Sequence, residues 1–312
     1  MSPSGTTHYG ALIKEVGRGA RGARSLDRAQ AAGLYGAMLD SQVPDMELGA
    51  LLIALRIKGE SCDELLGFHD ALQARTARVA VEAGPRLVLL PALNGARKLA
   101  NLMPLVALQL AQRGVPVLIH GRHDFDTRES PFELLQALGL SQATTLNELG
   151  QQLSARRLAV APLSLLCPGL DALMALRPRL GVRNSAHIMA KLLDPAPGRS
   201  LRVVAVTHPE YLDSMSEALP VLCRDSGGRA LLMRACEGEA HAHMRRKAWM
   251  RSFGPDGSTE LQTGDEDLAQ ALFEQPGIAE NAALIQGLMA GRAALPARIA
   301  EQIEALQALA NA

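Results

Sequence analysis

The stretch Arg86–Asp124, "RLVLLPALNGARKLANLMPLVALQLAQRGVPVLIHGRHD", decides how this chain folds. An apolar run, "LVLL", leads into a turn holding Gly95, then an amphipathic segment ending at Gly114, then a second apolar run, "VPVLIH". Short apolar runs separated by a helical pattern read as strand, helix, strand, the unit of a parallel crossover. The turn aims the first unpaired N–H groups of the helix at whatever lies in it, which suits an anion. Gly95 stands alone there, however, and neither a dinucleotide-binding nor a P-loop glycine pattern runs through "ALNGARKLANL". From these residues alone, a plain connection and a phosphate seat both stand.

Working outward, the runs "RLAVAPL", "LRVVAVTH" and "GRALLM" alternate with helical stretches such as "SPFELLQALG", the signature of an α/β sheet with crossover helices. Upstream, Tyr9–Arg78 is helical throughout, punctuated by Gly, Pro and Ser. Pro44-Asp45 opens one helix there, and Ser61-x-x-Glu64 has the spacing of a capping box for the next. A segment from Gly169 to Pro195 interrupts the strands with a helical pattern, and helical periodicity resumes from Glu260. The expected organisation is an N-terminal helical domain over 1–78, with a returning helical segment at about 168–195, and an α/β domain with a central mixed sheet over 79–312.

Of the 312 residues 48% are hydrophobic and 21% charged, as in a folded globular protein. Aromatic residues make up only 3%, which argues against a stacking platform for bases. No apolar stretch reaches the roughly 18 residues that span a bilayer, and "MSPSGTTHYG" lacks the charged and apolar regions of a secretory signal. Cys62, Cys167, Cys223 and Cys236 are scattered and read as reduced thiols, so a cytoplasmic protein without a membrane partner is expected. The net charge of zero hides an uneven distribution. Residues 1–78 hold nine Lys/Arg against nine Asp/Glu, residues 79–255 hold twenty-one against fourteen, and residues 256–312 hold two against nine. A basic face able to attract a polyanion is one consequence of that asymmetry, and a solvated acidic helix is the other reading of the C-terminus.

"RDSGGRA", Arg224–Ala230, lacks the glycine of a serine-protease nucleophile loop and reads as a turn into a strand. His241-x-His243 could bind a metal only with further ligands, and since the nearby acids are as readily solvated the pair reads as surface residues, so neither metal nor cofactor is expected. The basic clusters are more informative. Lys14, Arg18, Arg21 and Arg24 lie on the glycine-rich stretch "KEVGRGARGAR", and Arg245, Arg246, Lys247 and Arg251 surround Trp249, the one tryptophan. Cations on flexible backbone can track a phosphate chain, while the cluster around Trp249 reads equally as a solvated loop with one buried anchor.

The phrases "LDRAQAAGLYGAMLDSQVPDMELGALLIALRIKGESCDELLGFHDAL", "LNGARK", "IHGRHD", "LLQALGL" and "GVRNSAHIMAKLLDP" together resemble the anthranilate phosphoribosyltransferase-like family of the glycosyltransferase family 3 fold across nearly the whole chain. "IKEVGRGARGARSLDR", "THPEY" and "GGRALLM" bring it closer to the YbiB-like, nucleic-acid-binding branch of that family. The resemblance implies a helical domain joined to an α/β domain of nucleoside-phosphorylase type, and a homodimer formed through the helical domain. It also implies a degenerate phosphoribosyl diphosphate site. The family's "GTGGD" becomes Leu93, Asn94, Gly95, Ala96 and Arg97; its "KHGNR" becomes Ile119, His120, Gly121, Arg122 and His123; and its acidic metal-holding pair maps to Asp213-Ser214. Arg183 of "GVRNS" remains where the family contacts its aromatic acid substrate.

These substitutions exchange metal-bridged recognition for direct positive charge. The expected function is therefore sequence-tolerant binding of nucleic acid, with single-stranded DNA or RNA as partner, by a homodimer. Its basic groove would be formed by Lys14, Arg18, Arg21, Arg24, Arg97, Lys98, Arg122, Arg183, Arg202, Arg245, Arg246 and Lys247, around a degenerate phosphate site at Asn94, Gly95, His120 and Gly121, with no catalytic residue. The alternative is a phosphoribosyltransferase acting on an aromatic or nucleobase-like acceptor.

Overall fold

The computed structural model of the protein describes residues 9–19, 21–124, 127–244, 249–261, 263 and 277–312. In chain order the elements are α1 (Tyr9–Val16), α2 (Arg28–Leu39), α3 (Asp45–Lys58), α4 (Cys62–Gln73), β1 (Leu87–Ala92), α5 (Met103–Gln112), β2 (Val117–Gly121), α6 (Pro131–Ala137), α7 (Leu146–Arg156), β3 (Leu158–Pro162) and α8 (Leu163–Leu166). They continue with α9 (Pro168–Ala175), α10 (Arg177–Leu180), α11 (Ala186–Leu192), β4 (Ser200–Val206), α12 (Pro209–Ser226), β5 (Arg229–Arg234), β6 (Met250–Gly254), β7 (Gly257–Leu261), α13 (Ile278–Met289) and α14 (Ala297–Asn311). Two compact units result: Met1–Arg75 with Cys167–Ala190, and Thr76–Leu166 with Lys191–Ala312.

In the helical unit, local signals set the helix ends. Asp27 and Gln30 form a capping box on α2, and Ser61 and Glu64 form another on α4. Asp45 and Glu47 lie in the first turn of α3 and Arg56 and Lys58 in its last, each matched to the helix dipole. The fully buried Glu64 does more than cap. Its carboxylate accepts from Ser61 N at 2.8 Å, from Leu26 N at 3.0 Å and from Lys58 Nζ at 2.6 Å, tying the chain before α2 to α4. Tyr35 stacks on Phe68 with ring centroids 4.5 Å apart, so α2 and α4 pack through their aromatic residues. Gly67 permits that approach, since a Cβ there would lie 2.3 Å from the Arg28 carbonyl oxygen and 2.7 Å from Ala31 Cβ.

In the second unit a seven-stranded sheet runs β3-β2-β1-β4-β5-β6-β7. The pairs from β3 to β5 are parallel, and β5-β6 and β6-β7 are antiparallel, which makes the sheet mixed as expected. Val88, Leu90, Val117, Ile119, Val203 and Leu231 alternate onto one face, where they meet buried residues of α5, α13 and α14. The expected helical pattern from Glu260 is corrected here, because Glu260 lies in β7 opposite Arg251. The cause is local: Gly254-Pro255-Asp256-Gly257 makes the turn, with Gly257 at φ 141°, and folds β7 back on β6. The next described helix, α13, begins at Ile278. Among the described residues no helix is long and apolar enough to cross a membrane.

Gly67→Ala should lower the unfolding free energy by about 2 kcal/mol, because α2 and α4 must part to admit the methyl group. Urea denaturation checks this.

Candidate functional site

The turn after β1 contains six backbone N–H groups that no helix or strand satisfies, and at its buried residues Leu93, Asn94 and Gly95 each needs a partner. They find two carboxylates from far along the chain. Leu93 N, Asn94 N and Gly95 N donate to Glu239 Oε1 at 3.2, 2.7 and 3.0 Å. Arg97 N, Lys98 N and Leu99 N donate to Glu237 Oε2 at 2.9, 3.0 and 3.2 Å. The remaining amide, Ala96 N, pairs with Glu129 O at 3.2 Å, and Glu129 N returns to Ala96 O at 2.8 Å, which pins the loop at its middle. Successive amides converging on an anion form a nest of the kind that holds phosphates. Here the chain's own glutamates occupy it.

A tight hairpin turn delivers them. Glu239 N donates to Cys236 O at 2.9 Å, and the two central residues, Glu237 and Gly238, have φ of 52° and 97°, as a two-residue primed turn requires. The turn is keyed to the loop: Asn94 Nδ2 donates to Gly238 O at 2.7 Å, and a Cβ on residue 238 would sit 2.7 Å from the Asn94 side chain. Asn101 Nδ2 reaches Glu239 Oε2 at 3.2 Å, while Asn101 Oδ1 accepts from Met103 N at the start of α5. Arg128 Nη1 donates to Gly95 O at 3.2 Å and to Glu237 O at 2.9 Å, joining loop to turn. Glu239 is 1% exposed and Glu237 half-buried. Burial pushes the Glu237 carboxyl up, but the three amides and Arg128 outweigh it and hold the group below its ordinary value, so the carboxylate stays charged.

The expected phosphate-site residues are present with other duties. Asn94 and Gly95 are buried under the turn. Gly95, at φ 71°, leaves no room for a Cβ, which would lie 2.3 Å from Glu129 O. At Gly121 a Cβ would lie 2.0 Å from Ala92 O, so the approach of β1 to β2 is sufficient reason for that glycine. His120 is 1% exposed, its Nδ1 has no hydrogen-bond partner among the described residues, and burial pushes its pKa down to about 4.

Four expectations are corrected. Arg202 is 0% exposed in β4 with Nη2 directed at Cys223 Sγ and Ser226 Oγ, so no phosphate reaches it without opening the core. Arg122 adds no unbalanced charge, because its Nε pairs with Asp124 Oδ2 at 2.7 Å. Asp213 and Ser214 lie in α12, where Ser214 Oγ bonds Glu210 O, and the carboxylates at the loop are Glu237 and Glu239 instead. His241, read as a surface residue, is 2% exposed.

Arg97 and Lys98 side chains are exposed and, among the described residues, form no ion pair. Lys14, Arg18, Arg21 and Arg24 are likewise exposed in the helical unit, with Arg18 3.5 Å from Glu15. Arg183 belongs to that unit too, where its carbonyl accepts from Arg56 Nη1 at 2.9 Å. Arg245, Arg246 and Lys247 lie outside the described residues. Among the described residues no cluster of three or more His, Cys, Asp or Glu is arranged to hold a metal ion. A diphosphate with its metal therefore does not fit the loop as built, because its amide donors are already bonded.

Residues 11–76 match the helical bundle domain of the glycosyl transferase family. The chain is 40% identical to the protein YbiB of Escherichia coli (strain K12) over 291 residues, covering 92% of this chain and 90% of that one. It is 29% identical to an anthranilate phosphoribosyltransferase of Synechococcus sp. (strain JA-3-3Ab) over 300 residues, covering 92% and 84%. Among solved structures, an anthranilate phosphoribosyltransferase from Thermus thermophilus superposes with a TM-score of 0.75 at 25% identity, covering 96% of this chain and 87% of that one.

His120 and His241, both held near 4 by burial, are neutral in the fold but protonate at the ordinary 6.5 once unfolded. Their contribution is fully present above 6.5 and is lost as the pH falls towards 4, since the unfolded state then binds the extra protons. Urea midpoints should fall over that window, and His120→Leu should make the fall shallower.

Proposed function

The chain belongs to the anthranilate phosphoribosyltransferase-like family, and from that premise we propose that it has given up phosphoribosyl transfer and uses the phosphoribosyltransferase-like fold to bind single-stranded nucleic acid as a homodimer. The observation that carries this reading is the occupation of the amide nest by Glu237 and Glu239. With the backbone donors used internally, an anion at this loop meets side chains only. Arg97 and Lys98 point outward from the nest's rim, and direct Arg and Lys contacts suit single phosphates spaced along a strand. The exposed cations Lys14, Arg18, Arg21 and Arg24 on the glycine-rich stretch supply the same chemistry in the helical unit.

Dimerisation is supported by an apolar trough of about 700 Å³ in the helical unit, lined by Ile13, Val16, Ile53, Ala54, Ile57 and Leu180. Met46 is 79% and Ile57 71% exposed beside it, which is unusual for residues of that size in a monomer. Each basic rim would then be presented twice, and a strand touching both gains from effective concentration.

A second reading, phosphoribosyl transfer, is favoured by the identity to enzymes of that name over most of the chain. It requires the Glu237–Glu239 turn to leave the loop.

Binding to labelled single-stranded DNA should weaken steeply with salt, with a log–log slope of about −0.7 per phosphate contact, and should tolerate sequence changes. Replacing Arg97 and Lys98 together by alanine should flatten the slope by about one to two units across all sequences. Gel shifts at several salt concentrations measure this; an unchanged slope and affinity in the folded double variant would direct the strand elsewhere. Light scattering should give a dimer of the 33.2 kDa chain, and Ile57→Asp should yield monomers.

A further inference from the structure

We propose that the Cys236–Glu239 turn is an autoinhibitory latch, in which Glu237 and Glu239 stand in for two phosphate groups and must be displaced or removed before the loop after β1 can take an external anion. The seat persists without its occupants, because its donors are main-chain amides and the loop is pinned independently through the Ala96–Glu129 pairing. Each carboxylate takes three consecutive amides, Leu93 to Gly95 for Glu239 and Arg97 to Leu99 for Glu237, so the loop offers two adjoining anion positions. Two adjoining anionic groups are the chemistry of a diphosphate.

Asn94 and Arg128 key the turn to the loop, so displacement has to start at its accessible edge. Glu237 is a non-glycine residue at φ 52°, a conformation that favours glycine, and it is held there by what it touches. Glu239 is sealed in, while Glu237 is half-buried at the rim beside the exposed Arg97 and Lys98 and within reach of Arg128. Exchange therefore begins at the Glu237 position. Removing that one carboxylate frees three amides and deletes a negative charge among cations, so an incoming phosphate meets a positive rim with unpaired donors.

Inorganic pyrophosphate, titrated calorimetrically without metal into the full chain, reads the latch directly and does not depend on whether a nucleic acid binds. Glu237→Gly is the informative variant, since glycine suits the positive φ and preserves the turn while deleting the carboxylate. The wild-type chain should bind pyrophosphate at least about tenfold more weakly than Glu237→Gly. Adding Arg97→Ala and Lys98→Ala to that variant should reverse the gain. Glu237→Gln, which keeps the side chain's shape, provides the same comparison with a smaller gain if the glycine variant fails to fold. A folded variant that binds pyrophosphate no more tightly than the wild type, or a wild type that already binds it as tightly, would overturn the latch.

Discussion

Six main-chain N–H groups in the loop from Leu93 to Leu99 have to be bonded, and the way this chain bonds them governs its site. The loop belongs to no regular element, so the partners come from elsewhere: the carboxylates of Glu237 and Glu239, some 140 residues later in sequence. Much of the surrounding geometry follows. The hairpin turn must place two acids on the same side, which requires positive φ at Glu237 and Gly238. Gly238 must lack a Cβ to pass Asn94, and Gly95 must lack one to pass Glu129. Arg128 ties turn to loop through carbonyls of both.

The same constraint separates the chain's electrostatics from those of an amide-cradled anion site. Amides are fixed donors that bind an anion without reorganising, and here they are committed. What remains at the rim is side-chain charge on Arg97 and Lys98, mobile and screened by salt. Arg122 is neutralised by Asp124, and Arg202 serves the core between β4 and α12. Among the described residues, the basic excess in the middle of the sequence therefore includes cations that structure the fold as well as cations facing solvent.

Much of the fold was legible because its signals are local. The first five strands coincide with apolar runs, and the Ser61–Glu64 box is in place at the spacing that announced it. The β6-β7 hairpin was missed although Pro255-Asp256-Gly257 marks its turn, because the strand "GSTEL" is exposed along most of its length and carries no apolar alternation. The site was legible by half. That the loop after β1 is an altered anion seat followed only from the family resemblance, since Gly95 and its neighbours by themselves left a plain connection open. What fills it could not, since an amide's carboxylate partner leaves no periodicity in sequence, and the acids were expected at Asp213-Ser214, which lie on α12. "CEGE" was the available signal: two acids about a glycine directly after an apolar strand form a turn able to present both to one target.

The most direct test of the central claim is a calorimetric titration of the wild-type chain with phosphoribosyl diphosphate and Mg²⁺. With its amides held by Glu237 and Glu239, the loop has no main-chain donors left to cradle a diphosphate, and no saturable binding should appear. Saturable binding in the micromolar range would contradict the account, because it would mean that the two glutamates yield the loop to the ligand that a phosphoribosyltransferase needs.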